Sequence, residues 1–132
     1  RRCIIVFELD NRLADDALSP ETEVQILQII REALANAVRH SHARHVRIEL
    51  RQNQDGDASV SVEDDGIGLS PASGEENHFG LAIIRERAAS IGARLSIEAI
   101  RPHGVRVHLG LRRHHDLPQG SLDGLHDLIT DR

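Results

Sequence analysis

The tightest constraint on the fold of this chain is a change of period. From Pro20 to about His40, apolar residues recur three and four apart: Val24, Leu27, Ile30, Leu34, Ala37 and Val38. That is the spacing of one face of a helix. From residue 45 the period drops to two. Val46, Ile48 and Leu50 alternate with Arg47 and Glu49, and Ala58, Val60 and Val62 alternate with polar residues. A period of two belongs to strands with one buried face. Asp55-Gly56 between the runs is a tight-turn signal, so 45–64 reads as a hairpin. The helix also carries its own start signal: Ser19 as N-cap, Pro20 in the first helical position and acids in the first turn.

The remaining segments follow from the same rules. Residues 3–9 are β-branched and apolar and read as a strand, followed by a polar loop from Asn11 to Ser19. Residues 69–79 have no periodicity and are rich in small and polar types, which predicts a mobile loop. A second helix is expected from about Gly80, with Leu81, Ile84, Ala88 and Ile91 on one face and Gly92 as its C-terminal cap. Leu95, Ile97 and Ala99 mark a strand, residues 101–104 a turn, and Val105, Val107, Leu109 and Leu111 the last strand. The order β-α-β-β-loop-α-β-β predicts an α/β two-layer sandwich: a mixed, mostly antiparallel sheet with helices on one face. One domain is expected over 1–112, with 113–132 as a C-terminal tail or partly ordered linker.

Composition narrows the function. Only Phe7 and Phe79 are aromatic, so the core is aliphatic and no stacking platform for single-stranded nucleic acid is expected. The net charge is −5, which lacks the basic face a duplex binder needs. An acidic chain still accommodates a nucleotide, because backbone N–H groups alone bind phosphate. Cys3 is the single cysteine, which excludes an internal disulfide and fits a reducing compartment. No apolar run reaches the ~20 residues of a membrane helix. The chain begins at Arg1, which fits a piece of a longer protein whose anchor, if it has one, lies elsewhere.

Four local features converge on one site. Glu32 and Asn36 are four apart, hence stacked on one helix face, and Arg39 and His40 continue it. A carboxylate, a carboxamide and a cation in one column suit a hydrated Mg²⁺ and phosphate oxygens, and equally suit a solvated face. Asp64-Asp65-Gly66-Ile67-Gly68 ends a strand. Asp64 shares the parity of Ala58, Val60 and Val62, so it points inward and Asp65 outward. An inward carboxylate needs a partner, such as the amino group of a purine. Gly66 and Gly68 let the backbone approach a flat ring; the plainer reading is a turn. Gly80-Leu81 is expected at a helix N-terminus, where N–H groups favour anions, and Arg85 and Arg87 follow with solvent as their more natural neighbour. The irregular spacing of His40, His42, His45, His114 and His115 argues against zinc.

These segments resemble a known family. Residues 29–41, Ile-Ile-Arg-Glu-Ala-Leu-Ala-Asn-Ala-Val-Arg-His-Ser, resemble the N-box of histidine kinase ATPase domains; 62–69 resemble the first glycine box and 78–88 the second. The resemblance is closest to the nitrate/nitrite-sensor branch and covers 3–112. It implies the Bergerat ATP-binding fold shared with gyrase and Hsp90. It further implies that Asn36 coordinates Mg²⁺, Glu32 supports that ion or a water, and Arg39 touches phosphate, with His40 beside it. Asp64 reads the adenine amino group, Gly66, Ile67 and Gly68 line the base, 69–79 form the lid, and Gly80 and Leu81 close over the phosphates. His78 stands where many relatives carry Gly, and Val105 where many carry Thr. No segment resembles the dimerisation helix with its phospho-accepting His. The implied function is the ATP-binding catalytic part of a two-component sensor histidine kinase. Its parent would be a cytoplasmically active, membrane-anchored homodimer working with a LuxR-type response regulator. The alternatives are an anti-sigma-factor Ser kinase of the same fold, or a degenerate interaction module.

Overall fold

The structure, a computed structural model, describes residues 4–39, 42–67 and 75–113, with 75–79 as helical backbone. The elements run β1 (Val6–Asn11), α1 (Pro20–Arg39), β2 (His45–Gln52), β3 (Ala58–Asp64), α2 (Glu75–Ser90), β4 (Arg94–Ala99) and β5 (Val105–Leu111). The sheet order is β1-β2-β3-β5-β4. β1 and β2 are parallel, joined by α1 as a crossover, and every other pair is antiparallel. This is the expected α/β sandwich with a mixed sheet. The expected tail beyond Arg113, and His40, Gly68 and residues 69–74 of the expected lid, lie outside the described residues.

Local chemistry explains the boundaries. Ser19 Oγ accepts the Thr22 N–H at 3.2 Å, and Glu21 and Glu23 place acids in the first turn of α1. In the hairpin, Asn53 N–H bonds the Asp57 carbonyl at 2.9 Å, and Gly56 takes the left-handed φ of 88° that closes the turn. Gly92 ends α2 as expected, with φ of 66° and the Ala93 N–H returning to the Ala88 carbonyl at 3.0 Å.

The inward rows of β2, β3 and β5 meet α1 and α2 in one aliphatic core, with Ile29 and Ile84 fully buried. Three boundaries or faces differ from the sequence reading. β1 is Val6–Asn11, shifted towards the C-terminus from 3–9, because its register follows β2 from His45 onward. The buried stripe of α1 is Ile26, Ile29, Ala33 and Ala37, whereas Val24, Leu27 and Val38 are exposed. Both stripes have helical spacing. The stripe that wins is the one turned towards α2 and the sheet, where the core lies. Lastly, α2 begins at Glu75, not Gly80. Residues 75–79 contain neither Pro nor Gly, and acids at 75 and 76 suit a helix start.

Replacing Ser19 with Ala removes the N-cap of α1. The expected loss is ~1 kcal/mol, read as a lower urea midpoint with unchanged slope.

Candidate functional site

The site forms where α1, α2 and the paired ends of β3 and β5 meet. A cleft there is lined by Ala33, Asn36, Val62, Asp64, Leu81, Val105 and Val107. It spans about 410 Å³ out to its open mouth, and its interior is narrow. Asn36 lies seven residues beyond fully buried Ile29, two helical turns along the same line. Asn36 and Glu32 thus flank the buried face of α1.

Gly80 sits inside α2 and faces this column. A Cβ at Gly80 would stand 2.9 Å from Asn36 Oδ1 and 3.2 Å from Glu32 Oε1. The expectation that Gly80 offers helix N-terminal N–H groups is therefore corrected. It sits beyond the first turn, and its contribution is the missing side chain, which lets α2 close on the two polar groups of α1. Leu81, the next residue, lines the cleft. Arg87 Nη1 donates to Gln25 Oε1 at 3.0 Å, so it ties α2 to α1, while Arg85 is exposed. Since Gly80 meets Asn36 and Arg87 meets Gln25, the helices run antiparallel.

Asp64 holds the position its parity predicts. Its Oδ1 accepts the Gly66 N–H at 2.9 Å. Burial pushes its carboxyl above the ordinary value, opposed by the backbone N–H groups of Gly66 and Val105, with the neighbouring Asp65 charge adding to the rise. Gly66 is buried and Ile67 exposed, and Arg39 is exposed at the end of α1. Among the described residues no group of three His, Cys, Asp or Glu side chains is poised for a metal. Two oxygen donors in one column, Glu32 and Asn36, nevertheless fit Mg²⁺ carried by a phosphate ligand, since that ion keeps waters and takes few protein ligands.

Three contributors were not singled out from sequence. Asp65 points outward, as parity demands, and caps the start of β2. Its Oδ1 accepts the Arg44 N–H at 2.8 Å and the His45 N–H at 2.9 Å, and Oδ2 lies 3.0 Å from His45 Nδ1. These contacts hold its carboxyl down at about 2. Gly104, with φ of 128°, lies against the Asp64 backbone: a Cβ there would stand 2.1 Å from the Asp64 carbonyl oxygen. His103 Nδ1 lies 3.1 Å from the Gly66 carbonyl oxygen. The acidic doublet and the glycine before β5 were visible signals, and His103 had none.

Residues 21–115 match the family described as histidine kinase-, DNA gyrase B- and HSP90-like ATPase. The chain is 38% identical over 104 residues to the nitrate/nitrite sensor protein NarQ of Escherichia coli, covering 79% of this chain and 18% of that protein. It is 38% identical over 107 residues to the signal transduction histidine-protein kinase/phosphatase UhpB of Salmonella typhimurium, covering 81% and 21%. This chain thus spans about a fifth of those relatives. Among solved structures, a blue-light activated histidine kinase of Erythrobacter litoralis superposes with a TM-score of 0.71 at 23% identity, covering 87% of this chain and 37% of that one. The ATP binding domain of PrrB from Mycobacterium tuberculosis superposes at 0.58 with 26% identity, covering 80% of each chain. The chain belongs to the histidine kinase-, DNA gyrase B- and HSP90-like ATPase family. Within it, the sequence relatives include sensor kinases such as the nitrate/nitrite sensor protein NarQ and the histidine-protein kinase/phosphatase UhpB.

Two predictions follow from this geometry. Asp65 ionises at about 2 in the fold against 3.8 ordinarily, so its charge stabilises the domain above 3.8 and that gain fades as pH falls through about 2. Asp65→Ala is expected to lower stability by about 1 kcal/mol at neutral pH and to flatten this acid limb in pH-dependent urea titrations. Gly104→Ala is expected to cost on the order of 1–3 kcal/mol from its backbone conformation alone, more with the clash, read as a lower melting temperature.

Proposed function

We propose that the cleft binds MgATP and that the chain is the catalytic, ATP-binding part of a two-component sensor histidine kinase. The observation behind this is one juxtaposition. A half-buried carboxylate, Asp64, ends an apolar strand row and shares a narrow cleft with Asn36, which stands beside Glu32. One end of the cleft thus offers an acceptor for an amino group, and the other offers oxygen donors for a cation.

In this reading, ionised Asp64 accepts the adenine amino N–H. Val62, Leu81 and Val107 enclose the ring, and Gly66 and Ile67 pass beside it. Glu32 and Asn36 hold the Mg²⁺, which when bound neutralises phosphate charge. Arg39, and by resemblance His40, approach the phosphates. By resemblance, Gly68 lines the base and residues 69–79 cover the nucleotide, the last five of them within the first turns of α2. The γ-phosphoryl goes to a His on a dimerisation domain of the parent, and catalysis comes from positioning and charge neutralisation. The parent is a homodimer that keeps this domain in the cytoplasm and passes the phosphoryl group to a LuxR-type response regulator. No helix among the described residues is long and apolar enough to cross a membrane.

Calorimetric titration with a non-hydrolysable ATP analogue and Mg²⁺ tests the reading. Wild type is expected to bind, and Asp64→Asn to weaken binding by more than about tenfold, the scale of a charged hydrogen bond. A folded wild type that binds nothing overturns it. The same variant has a second signature. Because the folded carboxyl sits above its ordinary value, ionisation favours the unfolded chain, so the penalty is absent in acid and present at neutral pH. Asp64→Asn is expected to melt a little higher than wild type at neutral pH, the gain kept small by partial solvent exposure and vanishing in acid.

A further inference from the structure

The geometry points to His103 as a positioning residue for base recognition: through the Gly66 peptide it fixes the direction of the Asp64 carboxylate. This inference rests on the MgATP reading of the cleft and adds a residue that the sequence motifs do not contain.

His103 lies in the turn between β4 and β5, 37 residues from Gly66, and its ring Nδ1 stands 3.1 Å from the Gly66 carbonyl oxygen. A carbonyl only accepts, so Nδ1 carries the proton and donates. The N–H of the same glycine donates to Asp64 Oδ1 at 2.9 Å. One residue is therefore held at both ends, by the imidazole on its carbonyl and by the carboxylate on its amide. The turn itself is anchored. The Ile100 N–H bonds the Gly104 carbonyl at 3.0 Å, and Gly104 lies on the Asp64 carbonyl where no side chain fits. His103 and Gly104 thus press two adjacent points of one turn onto Asp64 and Gly66.

A carboxylate rotates about its last bond over a broad well. Oδ1 held by Gly66, with the Val105 N–H as a second backbone partner of the carboxylate, restricts that rotation in a side chain that lines the cleft. An amino group and a carbonyl at the same place on a purine differ in whether they donate, so a fixed acceptor discriminates between them and a rotating one discriminates less.

The test compares wild type, His103→Ala and His103→Asn. Asn places an amide N–H the same number of bonds from Cβ as the imidazole Nδ1. Affinities for non-hydrolysable MgATP and MgGTP analogues are measured by calorimetry, with melting temperatures of the ligand-free proteins alongside. Expected is an ATP affinity about 3- to 10-fold weaker in His103→Ala, the scale of one neutral hydrogen bond, with a narrowed ATP-over-GTP preference and recovery of both in His103→Asn. ATP affinity and preference unchanged in His103→Ala overturn the role of His103 while leaving the MgATP reading intact. A loss in His103→Ala that His103→Asn does not repair, in step with a lowered melting temperature, also overturns it, since that is the mark of a merely structural residue. Wild type that binds neither analogue overturns the MgATP reading and this inference together.

Discussion

The site depends on one clash between parity and polarity. The period of two that buries Ala58, Val60 and Val62 carries on to one more inward position and half-buries Asp64. An apolar row would end more cheaply in another apolar side chain. Here the last inward position holds a carboxylate whose charge is disfavoured by its surroundings, and the neighbouring elements are arranged around that fact. Gly66 gives it an N–H, Gly104 lets the adjoining strand close over its backbone, and α1 and α2 leave a slot in front of it. In the proposed reading, a carboxylate satisfied only in part by the protein is completed by the nucleotide.

Much of this was legible in the chain itself. The two periods gave the element order, and Ser19, Asp55-Gly56 and Gly92 gave the boundaries because caps and turns are local chemistry. The inward direction of Asp64 followed from parity alone. What escaped was set by tertiary contact. α1 carries two candidate apolar stripes, and only tertiary packing decides that Ile26, Ile29 and Ala33 are buried while Leu27 is not. The approach of α2 turns Gly80 from a presumed helix entry into a gap between helices. His103 had no pattern around it, since its partner is 37 residues away.

The paired acids show how one local motif divides its labour. Asp64 faces the cleft with its proton affinity raised, and Asp65 faces outward with its own lowered to about 2. Adjacent residues on a strand point to opposite sides, so they meet different surroundings at almost no distance. Asp65 ties the end of β3 to the first amides of β2 and so fixes the strand that presents Asp64. Strand geometry thereby separates a structural acid from a cleft-facing one.

Among the described residues β1 lies at the edge of the sheet, which bears on how the protein behaves in bulk. β1 exposes Phe7 and Leu9, and beside it α1 exposes Val24 and Leu27. An edge with free backbone groups and apolar side chains is a template on which other chains can add. Glu8 and Asp10 lie within that edge, and the net charge of −5 sets copies against one another at neutral pH. Salt screens that repulsion and leaves the apolar edge as it is. Colloidal stability is therefore an electrostatic property of this domain, strongest at low salt.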